Sequence, residues 1–157
     1  MARWKAFWEV RRALKLYDRK AYVDAEAALG RALACRPDLP EADQYRGILA
    51  LKQGRLEEAL GHLRRAWEKE EDIPVAVALG AAELLTGRFD EARDHFEKAI
   101  AAFPVLYDLR FHVGLAWFRQ KKRRRAVAEF HRMVQGDDEP LFTRLDRLRR
   151  VAAGGQP

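Results

Sequence analysis

Apolar positions between residues 73 and 106 fall on two helical stripes divided by one glycine. Ala76, Leu79, Gly80, Glu83 and Leu84 keep helical spacing, Gly87 interrupts it, and Phe89, Ala92, Phe96, Ala99 and Ile100 resume it along a second helix that Pro104 closes. The pattern predicts a helix hairpin. Its inner positions mix small and large residues, because two helices cross closely only where Gly or Ala lets the backbones approach and a bulky neighbour fills the adjacent hole.

The same markers recur along the chain. From Gly80 they stand at Gly87, Ala92, Phe96, Ala99 and Pro104, and thirty-three residues earlier Gly47 leads to Gly54, Ala59, Leu63, Ala66 and Glu71. Thirty-four residues before that, Ala13 leads to Lys20, Ala25, Leu29, Ala32 and Pro37; downstream, Gly114 leads to Lys121, Ala126, Phe130, Met133 and Asp138. A helix, a tight turn and a helix repeated at this period predict an all-α solenoid. Helices are expected near residues 5–18, 22–35, 40–53 and 56–70 in the first two copies. Asp38 is a candidate cap and Pro40 a candidate first-turn residue at the start of the third helix.

The Gly/Ala, Ala, aromatic-or-Leu, Ala, Pro series resembles the tetratricopeptide-repeat (TPR) pattern. The resemblance implies a right-handed α-solenoid of four helix hairpins, at about residues 5–38, 39–72, 73–106 and 107–139. Departures from the pattern are Glu71 and Asp138 at the proline, Met133 at an alanine, and Lys20 and Lys121 at the turn glycine. After Pro140, the residues Leu141, Phe142, Leu145, Leu148 and Val151 keep helical spacing and predict a C-terminal capping helix over 140–152 that covers the last hairpin. Residues 153–157 are expected to be a disordered tail.

A chain of 157 residues with 48% hydrophobic and 34% charged residues suits one domain with a real core. Cys35 is its single cysteine, which excludes an intramolecular disulfide, suits a reducing compartment and reads as a small apolar packing residue. The opening MARWKAFWEVRR lacks the apolar stretch of a secretory leader, and the longest nearly uncharged run, 73–82, is far short of the ~20 residues that span a bilayer. A soluble, cytoplasmic protein is expected. Trp4, Phe7, Trp8, Val10, Leu14 and Tyr17 make the first helix more aromatic than one buried stripe requires. Packing within the hairpin is the favoured reading, ahead of a helix lying on a membrane.

The net charge is +6, and it is unevenly spread: residues 1–118 hold 19 Lys/Arg and 19 Asp/Glu, residues 119–157 hold 11 and 5. Glu57, Glu58, Asp90 and Glu91 open their helices at the positive end of the helix dipole, whereas Arg124 and Arg125 stand at the matching places of the fourth copy. The run Lys121, Lys122, Arg123, Arg124 and Arg125, with Arg144, Arg147, Arg149 and Arg150, forms a basic patch. It is a candidate for nucleic acid, an anionic membrane or an acidic partner, set against the plainer reading of solvated surface charge.

Chemistry-bearing motifs are missing. His62, His95, His112 and His131 show no HExxH or zinc spacing, and His62 with His95 hold equivalent places on second helices that are expected to sit toward the outer face, so their match reflects the repeat. Gly47, Gly80 and Gly114 occur once per copy as packing residues rather than in a phosphate loop. The expectation is a protein without catalytic activity, cofactor, metal or small-molecule substrate.

In TPR proteins the first helices of successive hairpins line a concave face that holds a peptide. Carried over by repeat phase, the resemblance implies a groove of Phe7, Val10, Leu14 and Tyr17; Gln44, Ile48, Leu51 and Lys52; Val77, Ala81 and Leu84; and Phe111, Leu115, Phe118 and Arg119. Most are apolar, and an exposed apolar trough is rare without a partner. The expected occupant is an apolar or amphipathic protein segment, with the chain's own end or a second copy as the alternatives. The Lys, Asn and Arg clamp of TPR co-chaperones is not matched: its places hold Val10, Leu14, Tyr45, Pro74 and Ala78, or Gln44, Ile48, Ala78, Asp108 and His112. In size and groove character the chain is also similar to the bacterial type III secretion chaperones built on TPRs.

Overall fold

The turn between paired helices is made the same way four times. In the computed structural model, which describes residues 2–104 and 107–135, Lys20, Gly54, Gly87 and Lys121 all have positive φ, between 60° and 80°. The amide of each donates to the carbonyl three residues back, and the next amide donates to the carbonyl five back, as in Ala21 to Leu16 (2.9 Å), Arg55 to Ala50 (2.9 Å), Arg88 to Glu83 (2.8 Å) and Lys122 to Trp117 (3.0 Å). This pair of bonds satisfies the orphan carbonyls of a helix end and turns the chain back on itself. A left-handed residue with a Cβ costs roughly 1–2 kcal/mol. Lys20→Gly is therefore expected to raise stability by about 1 kcal/mol in urea unfolding, and an unchanged or lower midpoint would contradict that account.

The helices so connected are α1 (Ala2–Asp18), α2 (Tyr22–Cys35), α3 (Pro40–Lys52), α4 (Leu56–Lys69), α5 (Ile73–Leu85), α6 (Phe89–Ala102), α7 (Tyr107–Arg119) and α8 (Arg123–Gln135); the described residues contain no strand. They group into two compact units, residues 1–95 and 96–157, with the boundary inside α6. The expected capping helix 140–152 and tail 153–157 lie outside the described residues.

In the first unit α1 pairs with α2, α3 with α4, and α2 and α4 pack against the first helix of the following hairpin. One core cluster is mostly alanine, Ala6, Ala13, Ala25, Ala28, Ala32 and Ala42 around Leu29, Leu39 and Leu49. A second joins Ala50, Ala59, Leu60, Leu63, Leu79 and Ala82. Gly47 lets α3 approach α4, since a Cβ there would stand 2.5 Å from Leu63 Cγ. In the second unit Gly114 plays this part for α7 and α8, a Cβ falling 2.5 Å from Phe130 Cε1. Phe96, Leu109, Val113, Ala116 and Ala126 are buried there.

Two expectations are corrected. Asp38 does not cap α3; Leu39 occupies the cap, Pro40 the first turn, and Asp38 pairs with Arg36 at 3.4 Å instead. In α5, Asp72 is the capping residue and accepts from the Ile73 amide at 3.0 Å. The α1 aromatics are not absorbed by the hairpin either. Trp4 is 69% exposed, Trp8 64% and Phe7 49%, because the seam with α2 is made of Ala6 and Ala13 and leaves no volume for an indole.

Candidate functional site

Two adjoining hollows run along α1 and α3 in the first unit. One, of about 320 Å³, is lined by Ala13, Leu14, Tyr17, Asp18, Leu29, Tyr45, Ile48 and Leu49. The other, also about 320 Å³, is lined by Arg3, Ala6, Phe7, Val10, Arg11, Leu14, Arg36, Leu39, Glu41 and Tyr45. Leu14 and Tyr45 line both, so their side chains stand at the junction. The floor is apolar, and the polar groups sit mainly at the Arg3, Arg11 and Arg36 end. Tyr17 is steadied by the Tyr22 ring of α2 at 5.7 Å.

The predicted groove residues divide accordingly. Phe7, Val10, Leu14, Tyr17 and Ile48 line these hollows. Leu51 leans on the second core cluster. Gln44, Val77, Ala81 and Leu84 are half-buried and Lys52 is exposed. In the second unit, Phe111 is 45% exposed with its ring 5.7 Å from Phe130 and 5.8 Å from His112. Leu115 is half-buried, while Phe118 and Arg119 are exposed.

Lys121, Lys122, Arg123, Arg124 and Arg125 are exposed. Lys122 Nζ lies 4.9 Å and Arg125 Cζ 4.6 Å from the Trp117 ring centroid. This cation–π stack gives an Arg at the start of α8 a favourable contact that offsets its unfavourable place at the helix dipole. Arg144, Arg147, Arg149 and Arg150, the rest of the expected patch, lie outside the described residues.

A polar cluster joins α3 to α4. Asp43 of α3 is 2% exposed and His62 of α4 is 6% exposed. Lys69 donates to Asp43 Oδ2 at 2.9 Å, Arg65 donates to Oδ1 at 3.2 Å, and His62 Nδ1 lies 3.2 Å from Oδ1. Burial disfavours the charged carboxylate, but hydrogen bonds from Lys69 and His62 and the charges of Lys69 and Arg65 outweigh it, holding Asp43 below its ordinary range. Burial likewise pushes His62 below its ordinary value; Asp43 opposes this shift, while Arg46 and Arg65 reinforce it. His95 Nδ1 of α6 meets the buried Glu83 carboxylate of α5 at 2.7 Å, with Trp67 edge-on at 5.2 Å. His62 and His95, at equivalent places in consecutive hairpins, are each turned to a carboxylate inside their own hairpin. Among the described residues no group of three or more His, Cys, Asp or Glu is arranged to hold a metal ion, and no helix is long and apolar enough to cross a membrane.

Two sequence profiles, both described as tetratricopeptide repeat, match residues 10–72 and 50–107, together more than half of the chain. The chain belongs to the tetratricopeptide-repeat family. MamA has a TM-score of 0.77 at 21% identity over 83% of this chain and 72% of that one. MamA from Desulfovibrio magneticus RS-1 scores 0.75 at 19% identity over 83% and 76%. YrrB, a TPR protein described as having an unusual peptide-binding site, scores 0.73 at 20% identity over 86% and 71%. At these identities the likeness carries the fold, an all-α solenoid. No curated protein matches the sequence. As a TPR protein the chain is a protein–protein interaction module, of a family whose members bind protein or peptide partners.

Within this TPR frame Tyr45 was read only as a clamp place and not as a lining residue of the groove, although it spans both hollows. Its signal was available: Tyr45 precedes Ile48 by one helical turn, and residues three apart share a face. Asp43 was missed for a different reason. Asp43, Gly47 and Ala50 follow the inner stripe of α3, but a carboxylate at such spacing reads as surface unless its cations on the facing helix are known.

Proposed function

We propose that this TPR protein is a non-enzymatic adaptor or chaperone-like module that holds an apolar or amphipathic protein segment against the α1–α3 face. The observation that carries the reading is the pair of hollows joined at Leu14 and Tyr45, whose apolar side chains remain half-exposed. Completing the burial of three or four of them, each worth part of the roughly 1.5–3 kcal/mol of a fully buried side chain, contributes against the cost of association. The description of YrrB as a peptide-binding TPR protein supports the same direction. Phe111, Leu115 and Phe118 offer a comparable row on α7. A lone Cys35 thiol suits the reducing cytoplasm as its compartment. The Lys121–Arg125 run serves here as solvated charge, two of its cations resting on Trp117.

The test is selection from a displayed peptide library, comparing wild type with Leu14→Asp/Ile48→Asp and Phe111→Asp/Leu115→Asp. Wild type is expected to enrich amphipathic, apolar-faced peptides with micromolar binding. The α1–α3 double variant is expected to lose them while its helical circular dichroism is kept. Unchanged binding by that variant would refute the site.

A further inference from the structure

α1 carries a second surface beside the hollows: Trp4, Lys5, Trp8, Arg12 and Lys15 line neither of them, while Arg3, Phe7 and Arg11 also line the second. Trp4, Trp8, Arg11 and Lys15 follow one another at helical spacing, with Lys5 and Arg12 on one flank and Arg3 and Phe7 on the other. All eight are exposed. The Trp4 and Phe7 rings meet edge-on at 6.4 Å, and Phe7 and Trp8 at 5.5 Å, forming one aromatic cluster. The only acid among residues 2–15, Glu9, is turned to Arg31 of α2, which donates to it at 3.1 Å, and its side chain is 15% exposed. α1 therefore presents cations on this face with no acid of its own between them; Glu41 of α3 joins Arg3 and Arg11 only in the lining of the second hollow. This charge is local: residues 1–20 hold seven Lys/Arg against two Asp/Glu, whereas residues 21–118 hold 12 against 17.

We propose that this face of α1 docks on an anionic lipid bilayer surface, chiefly through Trp4, Trp8, Arg12 and Lys15, which line neither hollow of the peptide site. Charge complementarity requires an anionic partner, and the intermixing of indoles with cations selects the lipid. Protein interfaces gather their aromatics in a dry centre depleted of charge. The headgroup layer accepts both together, with Trp rings at the polar–apolar boundary and Lys or Arg at the phosphates. At 17 residues with this charge, α1 lies along the surface rather than across it.

The test is sedimentation of the full chain with phosphatidylcholine vesicles, with and without phosphatidylglycerol, over a salt series. Binding is expected only with phosphatidylglycerol and is expected to weaken as salt rises. Arg12→Gln/Lys15→Gln is expected to reduce partitioning about 30-fold, from roughly one unit of binding energy per cation. Trp4→Ser/Trp8→Ser is expected to reduce it at least as far. Neither pair touches the Ala6–Ala13 seam, so helical circular dichroism should be unchanged. Leu14→Asp/Ile48→Asp should bind vesicles normally, which separates this inference from the peptide reading. Failure to sediment, equal binding by both α1 variants, loss only on replacing Lys121–Arg125 by Ser, or a Trp4/Trp8-dependent dimer without vesicle binding would each overturn the proposal.

Discussion

Asp43→Ala is expected to destabilise the protein by about 3 kcal/mol, measured by urea unfolding at pH 7. Removing one partner of a buried charge cluster costs roughly 3–5 kcal/mol because the others are left unpaired. The low end applies because Arg65 is 52% exposed and can turn to water, while His62 cannot. A loss under about 1 kcal/mol would show that the cluster contributes no more than a surface pair. The same cluster sets the response to acid. His62 is shifted down from 6.5, so as pH falls through that value the unfolded chain takes up a proton that the folded chain resists, and stability declines. Asp43 is shifted down from 3.8, so a second decline follows below that value, toward its folded-state titration. His62→Gln should abolish the first decline and keep the second.

Gly47→Val is expected to cost about 3 kcal/mol, at the upper end of overpacking effects. Its Cβ would fall 2.5 Å from Leu63 Cγ and 3.3 Å from the Ala59 carbonyl oxygen, and Leu63 is fully buried with nowhere to retreat. Leu63→Ala costs a similar amount, roughly 2–5 kcal/mol, through the cavity it leaves. Combined, the two should cost at least about 1 kcal/mol less than their sum, since the new Val side chain enters the space that Leu63 vacates. Additive losses would mean that the two positions do not share that space.

Gly47 with Leu63, and Gly114 with Phe130, were legible because close helix approach demands a small residue at a fixed offset from a large one. The turns were legible even where the residue was irregular: Lys20 and Lys121 keep the left-handed turn that Gly54 and Gly87 make without strain. Side chains whose meaning depends on a partner were not. Asp43 and His62 each look like surface residues until α3 and α4 are brought together. Trp4 and Trp8 look like core residues until the α1–α2 seam proves too narrow for them. Of the expected groove, Leu14, Tyr17 and Ile48 come together around one hollow, while Leu51 is partly committed to packing. The basic run could be counted in the sequence, but its stacking on Trp117 needed the hairpin geometry.

The seam of Ala25, Ala28, Ala32 and Ala42, all inaccessible to solvent, has a thermodynamic consequence. Alanine has no side-chain rotamer to lose, so at these four positions closure immobilises backbone alone, and rotamer freedom is lost only at neighbours such as Leu29 and Leu49. Longer aliphatic side chains would bury more area, yet each would lose up to about 1 kcal/mol of side-chain freedom on packing. Where methyl groups are the spacers the helices come near backbone contact, and no alternative rotamer at those positions can widen the gap. The hairpins should therefore behave as stiff plates on the nanosecond scale, with motion left to the side chains that line the hollows.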